Sequence, residues 1–100
     1  MLQSYNTTLA AGNTVTVCTA ASGHEIAIVT IEISGVQSAG VVTLTKNNGS
    51  TDVFSESFRI PFGDTVIIDS KIFLPPGYSL KALSDVAGIQ ISVSADDSEV

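Results

Sequence analysis

Short runs in which apolar and polar residues alternate, each closed by a turn signal, recur along the whole chain. Thr14-Val15-Thr16-Val17-Cys18 alternates at every position, and Ile89, Ile91 and Val93 alternate with Gln90, Ser92 and Ser94. A period of two sends successive side chains to opposite faces of a sheet, so each run predicts a strand with one face buried. Similar runs predict strands near residues 5–9, 41–46, 53–60, 65–68, 71–74 and 79–83. Between them stand Ala11-Gly12-Asn13, Ala20-Ala21-Ser22-Gly23, Asn47-Asn48-Gly49-Ser50, Pro61-Phe62-Gly63-Asp64 and Pro75-Pro76-Gly77. Gly supplies positive φ and Pro presets φ, so these are turns. Asn48-Gly49 is a hairpin signal, because both residues tolerate positive φ. No window of ten or more residues carries a 3.6-residue period. The pattern predicts an all-β chain: an antiparallel β-sandwich of about eight short strands, of jelly-roll or Greek-key type.

The longest run, residues 25–34, conflicts with a simple two-fold period. Ala27, Val29, Ile31 and Ile33 share one face and read as core, while Ile26, Ile28, Thr30 and Glu32 share the other. Two isoleucines on an outer face call for a bulge that resets the phase, or a covering loop. The alternative is an apolar outer patch, which would make Ile26 and Ile28 interface residues. Later, Phe54, Phe58 and Ile60 share a face with Glu56 among them, opposite Val53, Ser55, Ser57 and Arg59.

Length bounds the rest. One hundred residues make a single domain over 1–100 with one modest core. The closing Asp96-Asp97-Ser98-Glu99-Val100 reads as a frayed acidic end. Charged residues are only 14% of the chain, so its surface must be wetted by hydroxyls and amides. The net charge is −6, and the four cations Lys46, Arg59, Lys71 and Lys81 are scattered. Phosphate backbones need clustered cations, so no direct nucleic-acid binding is expected, nor attraction to an anionic membrane. The apolar runs are too short to span a bilayer, and the first residues lack the pattern of a signal peptide.

The catalytic inventory is thin. Cys18 is the one cysteine and His24 the one histidine, six residues apart across a predicted turn. They could form a dyad, but Cys18 reads first as a small apolar strand residue in a reducing compartment. Two such ligands fall short of the four of a structural zinc site. Asp64 and Asp69 flank a strand, with Asp52 or Asp85 available, yet no Asp-x-Asp-x-Asp run supports calcium. The acids lack an aromatic setting, and there is no tryptophan to form a sugar platform. Asn6-Thr7-Thr8 and Asn48-Gly49-Ser50 match the glycosylation triplet, which carries no weight without a secretion signal. We expect no enzyme, no cofactor and no metal.

The segment from Arg59 to Ala82 has a recognisable cadence. Ile60-Pro61-Phe62-Gly63 ends a strand, a strand ending in Asp69 leads to Lys71-Ile72-Phe73-Leu74, and Pro76-Gly77-Tyr78-Ser79-Leu80 opens the next. Gly88-Ile89-Gln90-Ile91-Ser92-Val93-Ser94 then closes the chain. This order resembles small β-sandwich virion proteins of tailed bacteriophages, of the head decoration (cement) or neck and tail accessory type. Tyr78 departs from the pattern, since related sequences often carry Asp there.

The resemblance implies a structural virion part made in the bacterial host cytoplasm. Its expected role is a capsid decoration protein that binds and stabilises a shell of major capsid proteins. Self-association is implied too, with a trimer favoured. Interfaces are more apolar than ordinary surface, which makes Ile26, Ile28, Phe62, Phe73 and Tyr78 the interface candidates. The rivals are a neck or tail accessory protein and a receptor- or carbohydrate-binding fibre module. Two tyrosines, Tyr5 and Tyr78, are a thin aromatic supply for the latter.

Overall fold

A computed structural model describes residues 2–35, 39–69 and 72–99. The strands are β1 (Leu2–Leu9), β2 (Thr14–Thr19), β3 (His24–Gly35), β4 (Gly40–Asn47), β5 (Asp52–Ile60), β6 (Thr65–Ile68), β7 (Ile72–Leu74), β8 (Ser79–Ser84) and β9 (Ile89–Glu99). No helix occurs among the described residues. The expected all-β architecture is the one found.

The strands form two antiparallel sheets. Sheet I runs β1-β9-β3-β6, with β7 also paired to β3, and sheet II runs β2-β8-β4-β5. Leu9, Ile26, Ile28, Ile31, Ile33, Leu74, Ile89, Ile91, Val93 and Ala95 of sheet I close onto Cys18, Val42, Leu44, Ile60, Leu80 and Ala82 of sheet II in one buried cluster. Full burial of a side chain such as Ile31 is worth about 1.5–3 kcal/mol, and Ile31 is wholly inaccessible.

β3 resolves the phase conflict. Ile28 stands opposite Ala95 and Thr30 opposite Ser94, so Val29 is an extra, unpaired residue. This bulge lets Ile26 and Ile28 face inward before it and Ile31 and Ile33 after it, all at most 3% exposed. Ala27 and Val29, read from the sequence as core, are instead exposed. On the other edge of β3, β7 pairs with residues 26–28 and β6 with residues 31–34. The two short strands share this edge of β3, one on each side of the bulge.

β9 also departs from expectation. It pairs with β3 as far as His24 opposite Glu99, and Asp96 also faces Leu2 of β1. Residues 96–99 are therefore strand, because β3 is long enough to offer them backbone partners; Val100 lies outside the described residues. β2 carries a second bulge between Thr16 and Cys18.

Two of the described turns share one device, from which the β4–β5 hairpin departs. In Pro61–Asp64 and Pro75–Pro76-Gly77-Tyr78 the fourth residue's N–H donates to the first residue's carbonyl, at 3.2 and 3.0 Å. Gly63 (φ 77°) and Gly77 (φ 84°) hold the left-handed third position that an L side chain resists. In that hairpin only Gly49 of the Asn-Gly pair has positive φ. Its four-residue loop is shaped by side chains: Asn48 Oδ1 accepts from the N–H groups of Ser50 (3.0 Å) and Thr51 (2.8 Å). Asn47 Oδ1 accepts from Gly49 N–H at 2.8 Å while Asn47 Nδ2 donates to Asp52 Oδ1 at 2.7 Å. Asparagine bonds its own backbone two residues on, and here that preference overrides the two-residue turn.

Candidate interaction surface

The outer faces of both sheets are largely coated with hydroxyls and amides. On sheet II, Thr43 Oγ1 meets Ser57 Oγ at 2.9 Å, Thr45 Oγ1 meets Ser55 Oγ at 3.2 Å and Thr19 Oγ1 meets Ser79 Oγ at 2.9 Å. These cross-strand pairs tie neighbouring strands together as directly opposed residues do. On sheet I, Asn6, Ser92 and Glu32 lie in one cross-strand row and Thr8, Gln90 and Ser34 in the next. These rows frame a shallow polar depression of about 290 Å3.

Against that coat, exposed large apolar side chains stand out. Val29 (47%), Ile67 (67%), Phe73 (45%) and Leu2 (72%) belong to sheet I, Val53 and Phe54 to β5, and Phe62 to the following turn. Phe73 sits opposite the exposed Ala27 across the β7–β3 pair, and Ile67 opposite Glu32 across β6–β3. Val29 lies between them along β3. Where β6 breaks from β7, Ala27, Val29, Asp69, Ile72 and Phe73 line a depression of about 300 Å3. The bulge thus has two effects. It returns four isoleucines to the core, and it raises an apolar strip on the outer face.

The five interface candidates separate accordingly. Ile26 (0%) and Ile28 (3%) are core and cannot meet a partner, because the bulge at Val29 lets them face inward together with Ile31 and Ile33. Phe73 is on the strip. Phe62 is 69% exposed at the tip of the 61–64 turn, beside a depression of about 450 Å3 that also includes Arg59 and Asp85. Tyr78 is half-buried, with Lys46 Nζ 5.4 Å from its ring centroid, a cation–π contact on the sheet II side. Val29 and Ile67 were not named from the sequence. The signal for Val29 was present, since isoleucines at 26, 28, 31 and 33 leave one residue too many between the second and third.

A second opening lies between the sheets at the β5 edge, where Phe54, Phe58, Ile68 and Ile72 approach Leu44 and Leu80, with Lys46 and Glu56 at its rim. Its free space is about 10 Å3, roughly what one water needs. It is a packing seam that is not quite closed.

The charges are divided between the sheets. Lys46, Arg59 and Lys81 belong to sheet II, together with Asp52 and Glu56, while Asp85 lies in the loop from β8 to β9. Glu25, Glu32, Asp64, Asp69, Asp96, Asp97 and Glu99 lie in or beside the strands of sheet I. Lys71, outside the described residues, falls in the chain between β6 and β7. The strands of sheet I therefore carry five acids and no lysine or arginine, whereas those of sheet II carry two acids and three cations.

The reactive groups are otherwise engaged. Cys18 is 5% exposed, and burial pushes its thiol up from 9.0 to about 11. A nucleophilic cysteine needs its pKa lowered. His24 Nδ1 lies 3.0 Å from Asp97 Oδ1, joining β3 to β9. Asp52 is taken by Asn47 and Asp85 by the N–H of Val41 at 2.8 Å. Among the described residues no three His, Cys, Asp or Glu side chains gather to hold a metal. No helix among them is long and apolar enough to cross a membrane.

No protein-family model matches the chain, and no curated protein matches it significantly.

Proposed function

We propose that this chain is a structural virion protein, a decoration or cement protein that binds a shell of major capsid proteins. The observation that carries this reading is the apolar strip around Val29 and Phe73 on a sheet face that elsewhere carries mainly hydroxyls and amides. Contiguous exposed apolar area in a domain this small marks contact with another molecule. The cadence of residues 59–82 adds the resemblance to tailed-phage virion proteins.

The strand order supports a finer reading, an eight-strand jelly roll. With β6 and β7 taken as one interrupted strand, the sheets become first-eighth-third-sixth and second-seventh-fourth-fifth. Each sheet thereby mixes early and late strands, as two interlocked Greek keys require. Jelly rolls serve viral capsid proteins and also lectins, so fold alone does not choose between them. The lack of tryptophan and the apolar lining of the strip favour protein over sugar. Neck or tail accessory proteins would use the same kind of surface against a different partner.

Light scattering and co-sedimentation with empty shells of the encoding virus test the proposal. We expect a homo-oligomer, with a trimer as the working stoichiometry, that sediments with shells at a fixed ratio and raises their melting temperature. A chain that stays in the supernatant with shells and leaves their melting unchanged overturns it.

A further inference from the structure

We infer that the outer face of sheet I around the Val29 bulge docks a protein surface in which apolar side chains are flanked by Lys or Arg. This rests on the contact role proposed above and names the chemistry of the partner.

Two independent features of the face lead to it. The first is apolar: Ala27, Val29 and Phe73 surround the depression of about 300 Å3 where β6 and β7 separate, and Ile67 extends the strip along β6. The bulge builds this shape. A straight β3 would keep every residue paired, whereas the extra Val29 stands unpaired and lines the depression together with Phe73 and Asp69.

The second feature is charge. Asp69 lines the depression itself, Glu32 faces Ile67 across the β3–β6 pair, and Glu25 is two residues from Ala27 on the same outer face. These carboxylates sit on or beside the sheet whose strands hold five acids and no lysine or arginine. A field of one sign steers and selects partners of the other sign and penalises its own kind.

The sign chooses the occupant. A second copy docked through this face would bring the acids Glu25, Glu32 and Asp69 together, which like-charge repulsion disfavours. Nucleic acid and anionic lipid are repelled for the same reason. A cation-flanked apolar protein surface satisfies both features, with its apolar residues on Val29 and Phe73 and its cations on the rim.

The test uses the full chain, isotopically labelled for NMR, and a synthetic peptide alternating lysine or arginine with valine and phenylalanine. A matched peptide carries glutamate in place of every cation. We expect the cationic peptide to shift the amides of Ala27, Val29, Ile67 and Phe73. Its affinity should fall about tenfold between low and physiological salt, as screened charge pairs do. The double variant V29S/F73S should bind at least about fivefold more weakly, having lost two apolar anchors, while F62S binds like the parent. Both variants change exposed residues, and thermal unfolding checks that the fold is kept. Shifts centred on sheet II, equal binding of the glutamate peptide, or parental affinity of V29S/F73S would each overturn the inference.

Shells separate this inference from the reading it rests on. If the parent and V29S/F73S sediment with shells equally, the contact role holds and this face is not the docking surface. If the parent ignores shells yet binds the cationic peptide at Val29, the face is assigned and the virion role falls.

Discussion

The carboxylate of Asp85, in the loop after β8, accepts a 2.8 Å hydrogen bond from the backbone N–H of Val41, 44 residues earlier at the start of β4. The same corner brings Gly40 so close that a Cβ there would run into Val86 Cγ2 and lie 2.8 Å from Asp85 Oδ1. Ser84 Oγ secures the loop by donating to the Val86 carbonyl at 2.6 Å and accepting from the Val86 N–H at 3.1 Å. Asp85→Ala should cost on the order of 1 kcal/mol, the net value of one hydrogen bond at a wet site. Gly40→Ala should cost more, about 2 kcal/mol or above, because two groups must move aside. Urea unfolding of both variants checks the order. A Gly40→Ala protein as stable as the parent would mean that the corner is not close-packed.

The bulge makes a second prediction that runs against intuition. Deleting Val29 leaves Ile26, Ile28 and the two following isoleucines in unbroken alternation, all still facing the core. Deleting Ala27 instead puts Ile26 and Ile28 next to each other and turns one of them outward, and a one-residue slip exchanges the faces of a strand. The Val29 deletion should therefore unfold cooperatively with a modest loss of stability. The Ala27 deletion should lose several kcal/mol, on the scale of a large side chain removed from a core. Circular dichroism melts of the two proteins decide it. Equal damage from both deletions would show that the inward phase of the isoleucines does not set the register.

How much of this was legible beforehand depended on how local the signal was. β2, β4 and the first part of β9 follow from alternation alone, and the turns at Gly63 and Gly77 from residue chemistry alone. Pairing partners are long-range, so the sequence could not show that β3 is flanked by β9 on one side and by β6 and β7 on the other. That is why residues 96–99 read as a loose end, since their polar side chains conceal the backbone partner that β3 provides. The spacing of Ile26, Ile28, Ile31 and Ile33 left a bulge and an apolar outer patch as alternatives, and the pairing of β3 with β9 settles on the bulge. Once Val29 is identified as the extra residue, Ile26 and Ile28 fall in the core and Val29 on the exposed outer face. The division of charge between the sheets is likewise invisible in the chain, where acids and cations are interspersed.

The Cys18 thiol gives the pH dependence. Its pKa is raised in the folded chain from 9.0 to about 11, chiefly by burial and further by the negative charge of Asp97, against a backbone hydrogen bond with Leu80 that lowers it. The folded state therefore holds this proton more tightly than the unfolded state does. The associated stability is fully present below about pH 9 and is lost as pH rises towards 11, an effect on the order of 2 kcal/mol. Tyr5, raised from 10.0 mainly by burial, acts in the same direction. Stability measured from pH 8 to 11 should fall more steeply for the parent than for Cys18→Val, in which only the Tyr5 contribution remains. The folded parent should also react slowly with thiol reagents at pH 8. Parallel pH curves for the two proteins, or rapid labelling of the native state, would contradict the buried, protonated thiol.

β5 is an edge strand of sheet II, and Glu56 stands in the middle of it. The nine residues of β5 pair with β4 on one side, and among the described strands its other edge is unpaired. Phe54, Glu56 and Phe58 lie on its inward-turned face, where they border the narrow seam opposite Ile68 and Ile72. A charge placed among inward-facing apolar residues of an edge strand makes continued pairing costly, because a second strand laid there would bury it. Glu56 is exposed, so Glu56→Val should change the stability of the isolated chain by about 0.5 kcal/mol or less. It would also turn Phe54, residue 56 and Phe58 into one apolar row beside an open edge, the pattern that promotes strand addition. We expect the variant to form dimers or larger β-rich species at concentrations where the parent keeps its ordinary assembly state, with light scattering and infrared spectra as readouts. Glu56→Gln, polar but uncharged, should fall between the two. If Glu56→Val scatters like the parent at every concentration, the edge is protected by something other than this carboxylate, and the twist of β5 itself becomes the explanation to pursue.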